Sequence, residues 1–192
     1  MAKIPAEWLE RAISDGHINY LEYNKFINPT EIGSGGFGKV FKYEWKDYEL
    51  IVALKCLKFD TDLNLNEKII NDFINELKLL RRVDYHQNII RFYGVTKDNN
   101  GNYNMVLQYA NEGNLREYLK ENFSRLQWAD KLSLAKEIAL GLLCLHDNNI
   151  IHRDLHSKNI LINQGQPKIA DFGLSKQMNE KSITSSMECQ HI

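Results

Sequence analysis

The chain has 192 residues, of which 43% are hydrophobic and 26% are charged, so it can bury a core of domain size. A formal net charge of −1 excludes a general attraction to nucleic acid or to anionic membranes, and neither is expected as a partner. The three cysteines are widely spaced, which favours reduced thiols in a cytoplasmic protein. Residues 1–20 do not resemble a signal peptide, and the longest apolar run, 138–145, is too short to span a bilayer.

A short amphipathic helix is predicted over residues 6–15. Pro5 suits the first turn of this helix and Gly16 suits its end. The apolar side chains fall on one face, formed by Trp8, Leu9, Ala12 and Ile13. We therefore expect residues 1–28 to form a helical extension that packs on the domain after it.

Alternating aromatic and charged residues replace the helical pattern between residues 30 and 57, which predicts strands. A second strand is expected at 50–57. Helical spacing returns at 67–83, and two further strands are expected near 89–95 and 103–108, joined by a turn rich in Asn, Asp and Gly. This part of the chain therefore combines a sheet with one helix.

Helices dominate after residue 110. A short helix is predicted at 115–121 and a long one at 128–146, which is apolar nearly all round in its second half. Such a pattern predicts burial on every side of the helix. A hairpin then pairs residues 160–162 with residues 167–170.

A glycine-rich segment, G-x-G-x-x-G-x-V, runs from Ile32 to Val40. Glycines let the backbone approach phosphates closely and aim N–H groups at them. A Rossmann turn or a P-loop needs a helix after the glycines, whereas a strand is predicted here, and Val40 lacks the hydroxyl that a P-loop offers to Mg²⁺. A glycine-rich hairpin turn without a ligand stays open for this motif alone.

Lys55 and Glu76 form the next pair of candidates. Period two places Lys55 on the same strand face as Ala53, a small residue that leaves room for a flat ligand. Glu76 has apolar neighbours on its predicted helix, and a carboxylate in such surroundings needs a cation. The alternative interpretation is that Lys55 and Glu76 are two unrelated charges at the surface.

Two carboxylates and one carboxamide follow in a short stretch of the chain. Asp154 and Asn159 lie in the segment I-I-H-R-D-L-H-S-K-N, and Asp171 begins D-F-G twelve residues later. Oxygen ligands of this kind suit a hard cation, and one carboxylate is left to act as a base. A zinc site built on His152 and His156 is disfavoured, because no further Cys or His stands at ligand spacing.

Taken in order, these motifs resemble the catalytic core of eukaryotic protein kinases over about residues 30–173. The resemblance implies an α+β, two-lobed fold. Its strand-rich N-lobe would cover residues 29–110, and its helical C-lobe would cover residues 111–192. It also implies ATP and Mg²⁺ as cofactors, with phosphoryl transfer to a protein hydroxyl.

The same resemblance implies a role for each candidate residue. Asp154 would accept or orient the proton of the substrate hydroxyl, Lys55 would hold phosphates beside Glu76, and Asn159 and Asp171 would bind Mg²⁺. The adenine would lie between Val40, Ala53 and Leu161, next to a hinge at 108–110. The full set of residues expected at the nucleotide, besides Lys55, is Ile32, Gly33, Ser34, Gly35, Gly36, Phe37, Gly38, Val40, Ala53, Leu107, Gln108, Tyr109, Ala110 and Leu161.

The loop from His152 to Asn159 resembles most closely the catalytic loop of the tyrosine-kinase-like group. His156 stands where serine/threonine kinases usually carry Lys, and the alanines and the arginine usual in tyrosine kinases are absent. Members of that group mostly phosphorylate Ser or Thr. Residues 174–186 resemble an activation loop, and no A-P-E follows before Ile192, so an incomplete C-lobe is expected, with a chaperone or partner chain as its cover. Some of the leucines of the long helix are then expected to face solvent or that partner, namely among Leu140, Leu142, Leu143 and Leu145. Two functions stay open: an ATP-dependent protein kinase, and a nucleotide-binding regulatory fragment that does not phosphorylate peptides.

Overall fold

A computed structural model describes residues 5–35, 38–56 and 63–178 of the chain. It divides the chain into two compact units. The first unit comprises Met1–Lys78 and Ile90–Asn111, and the second comprises Leu79–Ile89 and Glu112–Ile192. Gly36, Phe37, Cys189 and most of the predicted activation loop lie outside the described residues.

The described part of the first unit is a five-stranded antiparallel sheet with two α-helices and two short 3-10 helices. The strands follow each other in the order β1-β2-β3-β5-β4. The elements are α1 (Pro5–Ser14), β1 (Phe26–Gly35), β2 (Gly38–Trp45), β3 (Leu50–Cys56), α2 (Leu63–Leu80), β4 (Phe92–Lys97) and β5 (Tyr103–Gln108).

The two faces of this sheet have different roles. One face carries an aromatic and aliphatic core cluster, consisting of Phe26, Tyr43, Trp45, Val52, Leu54 and Val106. The register places Val40 opposite Lys55 on the neighbouring strand, and Lys42 opposite Ala53. Because successive side chains of a strand point to opposite faces, Val40, Ala53 and Lys55 share the other face.

The segment after α1 continues the sheet at its β4 edge. The amide of Leu21 donates to the carbonyl of Val95 over 2.8 Å, and the amide of Val95 donates to the carbonyl of Asn19 over 2.9 Å. Gly94 makes this close approach possible, because a Cβ at its position would lie 2.4 Å from the Asn19 carbonyl oxygen. The N-terminal residues therefore belong to the first unit rather than to a separate body.

The described part of the second unit consists of two helices and two small strand pairs. Its elements are α3 (Leu115–Asn122), α4 (Trp128–Asp147), β6 (Ile150–Ile151), β7 (Ile160–Asn163), β8 (Gln166–Ile169) and β9 (Lys176–Gln177). Strand β7 pairs with β8, and β6 pairs with β9. The start of α3 is fixed by Asn114, whose side-chain oxygen accepts from the amide of Glu117 over 3.1 Å.

In the described structure helix α4 is buried on one side, and two of the leucines expected to face solvent or a partner, Leu140 and Leu143, are exposed. Cys144 and Leu145 are buried, whereas Leu143 is 55% exposed and Leu140 is 38% exposed. Within the described part of the second unit, α4 packs closely on β8, and a Cβ at Gly141 would lie 2.9 Å from Cδ1 of Ile169. That close packing accounts for the buried side.

Two boundaries differ from those predicted. Helix α2 begins and ends earlier than 67–83, and β4 begins later than residue 89. Ile89 is buried and forms an isolated bridge with Ile169 in the second unit, so its apolar character reflects burial there and not a place in β4. The contacts assign residues 79–89 to the second unit, whereas the sequence-based boundary placed them in the N-lobe.

Candidate active site

The glycine-rich segment is the end of the β1–β2 hairpin. Gly33 lies opposite Val40, and Gly35 lies opposite Gly38. Among the described residues, a Cβ added at Gly33 would meet only the Cβ of Val40, at an ordinary 3.9 Å. The described fold therefore does not require glycine at Gly33, whereas a ligand that approaches the backbone closely would favour it.

Other residues expected at the nucleotide lie on one face of the sheet. Leu107 pairs with Ala53, and Val40 pairs with Lys55, which together place these four side chains on the face opposite the aromatic core cluster. Ala53 is buried. On the neighbouring strand, Ser34 and Ile32 are exposed, and Gly36 and Phe37 lie outside the described residues.

The predicted hinge, residues 108–110, begins at the last residue of β5. The amide of Gln108 donates to the carbonyl of Arg91 over 2.9 Å, so this N–H is used within the unit. The Lys42 ammonium lies 5.3 Å from the centroid of the Tyr109 ring, and Ala110 is buried. The backbone N–H groups of Tyr109 and Ala110 are therefore better candidates than that of Gln108 for hydrogen bonds to an adenine edge.

Lys55 and Glu76 form a close ion pair, as the sequence predicted. The Lys55 Nζ lies 2.7 Å from Oε1 and 2.9 Å from Oε2 of Glu76. Both side chains are largely buried, with 12% and 7% of their surfaces exposed. Glu76 therefore fixes the ammonium of Lys55 at one place on the sheet face that carries Ala53 and Val40.

In the second unit, Asp154 and Asn159 are in direct contact. The Nδ2 of Asn159 donates to the backbone carbonyl of Asp154 over 3.0 Å and to its Oδ2 over 3.0 Å. Both bonds use the nitrogen of the carboxamide, so Oδ1 is the atom that Asn159 could offer to a cation. His156 lies at the edge of this cluster, with its Nε2 3.9 Å from Oδ1 of Asp154.

His152 joins the loop that carries Asp154 and Asn159 to the residue before Asp171. Its Nε2 lies 3.0 Å from the carbonyl oxygen of Ala170, and its Nδ1 accepts from the amide of Asp154 over 3.4 Å. These partners assign the proton to Nε2, and burial lowers the pKa of His152, which favours the neutral ring. The ring also packs on Phe172 at a centroid distance of 5.3 Å. His152 is therefore a structural residue here.

Asp171 stands in a strained backbone conformation. Its φ is 64°, and Arg153, next to Asp154, has a φ of 68°. Residues other than glycine seldom adopt this left-handed region, and such strain is frequent at functional sites. The amide of Ala170 donates to the carbonyl of Asn159 over 2.9 Å, and Phe172 is fully buried, so both neighbours of Asp171 are held in place.

The oxygen atoms of this cluster fit a magnesium ion. Mg²⁺ is usually bound by one or two carboxylates with phosphates and water, and the Asp171 carboxylate and the Asn159 carboxamide supply ligands of that kind. In residues 5–35, 38–56 and 63–178, no group of three His, Cys, Asp or Glu side chains is placed to hold a metal by itself. A cation held by Asn159 and Asp171 would complete its coordination with water or with oxygen atoms of a ligand. Leu161, which is expected at the adenine and not at the metal ion, lies on β7 and is half-buried.

Ser175 also supports the loop that carries Asp154, and no sequence motif marks it. Its Oγ donates to the carbonyl of His152 over 3.0 Å, and the residue is 2% exposed. The contact joins positions 23 residues apart. A short polar residue four positions after Asp171 was its only sequence signal.

Comparison with known proteins identifies the family. The family described as protein tyrosine and serine/threonine kinase matches residues 26–192. The chain belongs to this family. The resemblance and the α+β fold inferred from the motifs are thus confirmed, and the chain is by family a kinase, a transferase enzyme.

Three curated relatives illustrate the match. The probable serine/threonine-protein kinase kinX of Dictyostelium discoideum is 35% identical over 88% of this chain and 15% of its own length. LIM domain kinase 1 of Drosophila melanogaster is 36% identical over 81% of this chain and 12% of its own length. The dual specificity testis-specific protein kinase 2 of Rattus norvegicus is 37% identical over 81% of this chain and 26% of its own length.

The matched region is a minor part of each of these relatives. For these three proteins it spans between 12% and 26% of the relative's length.

Among the described residues, none of the helices combines the length and apolarity needed to cross a bilayer.

Proposed function

We propose that this chain binds MgATP and transfers the γ-phosphoryl group to a hydroxyl of a protein substrate, with Ser or Thr favoured. The motifs and the family support this proposal. The names of the relatives, which include serine/threonine and dual specificity kinases, support the substrate class. A cytoplasmic location agrees with the free thiols of Cys56 and Cys144.

The Lys55–Glu76 pair is the observation that carries the proposal. Withdrawing two charges from water costs several kcal/mol per ion, and a buried pair usually returns little net stability. A pair buried to this extent, on the sheet face beside the glycine-rich hairpin, is therefore better explained by a ligand than by folding. An ammonium held in this way suits the α- and β-phosphates of a nucleotide.

The second unit supplies the groups for the transfer step. Asp154, oriented by Asn159, would accept or position the proton of the attacking hydroxyl. Oδ1 of Asn159 and the carboxylate of Asp171 would hold Mg²⁺, which neutralises phosphate charge when it is bound. The neutral His152 takes no proton in this scheme and keeps the loop in place.

Nucleotide binding is tested by thermal unfolding of the 192-residue chain with and without MgATP. A ligand of the native state raises the melting temperature by mass action, so saturating MgATP should stabilise the unaltered chain. Lys55→Ala should reduce this shift strongly. Lys25→Ala removes an exposed lysine paired with Asp47 in the same unit and should leave the shift unchanged.

A folded chain whose melting temperature does not respond to MgATP would refute the proposal at its first step. A chain that binds MgATP but shows no transfer of labelled phosphate would favour a nucleotide-binding regulatory role. Phosphoamino-acid analysis of a labelled generic protein substrate would separate Ser and Thr from Tyr as acceptors.

A further inference from the structure

The N-terminal helix α1 contacts two elements of the first unit that bear on Lys55. One contact is with α2, the helix that carries Glu76. The Nζ of Lys78 lies 4.1 Å from the centroid of the Trp8 ring, in the geometry of a cation–π contact. Lys78 stands only two residues after Glu76, so this contact acts on the same turn of α2.

The other contact of α1 is with the strand pair β4–β5. The carboxylate of Glu10 accepts from Lys97 Nζ over 2.6 Å and from the hydroxyl of Tyr103. Lys97 and Tyr103 face each other across the two strands, and the Lys97 ammonium also lies 4.5 Å from the centroid of the Tyr103 ring. The Glu10 carboxylate thus joins α1 to both β4 and β5.

Together with the strand pairing, these contacts link α1 to both residues of the Lys55–Glu76 ion pair. Strand β5 pairs with β3, where Met105 lies opposite Lys55. Tyr103 is two residues before Met105, so it lies on the same sheet face as Lys55. Contacts therefore connect β3, which carries Lys55, to β5, β5 to α1, and α1 to α2. Helix α2 carries Glu76, which binds Lys55.

We propose that α1 positions the Lys55–Glu76 pair, with Trp8 and Glu10 as positioning residues that hold α2 in register with the sheet. The inference rests on the proposed function, because it concerns how tightly phosphates are bound. The ion pair must be in place for phosphoryl transfer in kinases, and the position of its helix is a common point of control. In this chain, residues outside the family match at 26–192 supply part of that control.

The ionisation states of Glu10, Lys97 and Tyr103 favour these contacts at neutral pH. The hydrogen bond that Lys97 donates to Glu10 lowers the pKa of Glu10 and raises the pKa of Lys97. Burial raises the pKa of Tyr103 to about 12. The carboxylate, the ammonium and the protonated phenol therefore coexist over a wide range around pH 7.

The test compares affinity for MgATP with affinity for adenosine, measured by calorimetry on the full 192-residue chain. Adenosine lacks the phosphates that Lys55 would hold, so it reports on the general integrity of the nucleotide site. Trp8→Leu removes the aromatic face but keeps an apolar side chain, and Glu10→Gln removes the charge at nearly constant size. Each should weaken MgATP binding about threefold, in line with the loss of one such contact, and leave adenosine binding unchanged.

Matched controls are available on the same helix. Glu7→Gln makes the same change of charge at an exposed position of α1, and Trp8→Phe keeps an aromatic face toward Lys78. Both should bind MgATP as the unaltered chain does. In a chain that already carries Lys55→Ala, Glu10→Gln should have no further effect on MgATP, because the two changes act through one ion pair.

The outcomes separate this inference from the proposed function. If Lys55→Ala leaves MgATP affinity unchanged, the proposed function fails and the inference fails with it. If Lys55→Ala weakens MgATP binding but Glu10→Gln and Trp8→Leu behave like Glu7→Gln, only the inference is overturned. Equal losses for MgATP and adenosine would also overturn it, since they would indicate a merely structural helix.

Discussion

At the scale of single residues, Asp154 owes its orientation to a neighbour five positions away. The carboxamide of Asn159 binds both the backbone and the side chain of Asp154, which leaves one carboxylate oxygen of Asp154 outside that bond. Such an arrangement suits a base that must face a substrate hydroxyl, because its orientation is set before the substrate arrives. In the proposed scheme, Asn159 Oδ1 and the Asp171 carboxylate would hold the metal ion instead.

The first prediction follows from this division of roles. Asp154→Asn should lower the rate of phosphoryl transfer by about 10²- to 10⁴-fold, the usual contribution of a general base. The affinity for MgATP should change little, because Asp154 is not among the proposed metal ligands. Transfer of labelled phosphate and calorimetric titration with MgATP measure the two quantities, on this chain or on a longer polypeptide that contains it.

Asp147→Asn is the matched control for that experiment. Asp147 is exposed at the end of α4, and the same change of charge there should affect neither rate nor affinity. Loss of MgATP binding in Asp154→Asn would contradict the assigned roles, as would an unchanged rate of transfer.

His152 gives a prediction about pH. Its pKa in the folded chain is lowered from 6.5 by burial, so the unfolded chain takes up a proton first as the pH falls. The free energy of unfolding should therefore be highest above about pH 6.5 and fall below it, by at most about 1.4 kcal/mol per pH unit for one proton. The coulombic effects of Asp154 and Asp171 raise the pKa of His152 and so reduce this loss.

Urea denaturation at pH 7.5, 6.5 and 5.5 measures this effect. His152→Gln keeps a donor for the carbonyl of Ala170 but does not titrate, so the unaltered chain should lose more stability than this variant as the pH falls. The same difference in stability at all three pH values would show that His152 does not titrate on unfolding.

At the scale of elements, the sequence predicted most strands and helices because their patterns are local. The strand β5 occupies the residues expected, and α1 and α4 lie close to the ranges expected. The ion pair of Lys55 with Glu76 was also predicted, since both residues belong to recognisable motifs. The contacts of Glu10 with Lys97 and Tyr103 were not, because they join residues 87 and 93 positions apart with no motif to mark them.

The burial of α4 shows another limit of sequence patterns. Apolar residues around the whole helix predict burial on every side, but the pattern does not identify which elements supply the packing. In the described part of the second unit, close packing comes from β8 at Gly141, and Leu143 on another side is exposed. The position of Gly141 within an apolar run gave no indication of how closely β8 approaches.

Gly141 provides the prediction at this scale. Gly141→Ala should destabilise the second unit by about 1–2 kcal/mol. Alanine gains about 1 kcal/mol in helix propensity, but its Cβ would lie 2.9 Å from Cδ1 of Ile169 and 3.1 Å from the Asn88 carbonyl oxygen. The midpoint of urea denaturation, followed by circular dichroism, measures the change.

Ile169→Val supplies a specific control because it removes the Cδ1 atom that Gly141→Ala would crowd. The double variant should be more stable than the sum of the two single changes predicts, which is the signature of residues in contact. Additive losses would show that the cost of Gly141→Ala arises elsewhere, and a net stabilisation would show that helix propensity outweighs the close contact.

At the scale of the whole molecule, apolar residues remain exposed on the second unit. The large apolar side chains of α4 that are exposed are Trp128, Leu132, Leu140 and Leu143. At 100° per residue they occupy an arc of about 120° on the helix, whereas Leu134, Gly141, Cys144 and Leu145 occupy the opposite side. The exposed Lys136 lies within the same arc, so these side chains form an interrupted apolar face rather than one continuous patch.

The last prediction concerns the behaviour of the 192-residue chain in solution. We expect it to bind a hydrophobic dye in the native state and to associate in gel filtration as its concentration rises, because the exposed face of α4 offers apolar surface to both. The paired changes Leu132→Lys and Leu143→Lys should reduce dye binding and association without lowering the melting temperature, since both side chains are already exposed. Glu121→Lys, at an exposed position of α3, makes the same change in net charge and should leave both properties as they are. A monodisperse chain that binds no dye would show that this face is covered, and equal effects of the two sets of variants would show that charge alone governs association.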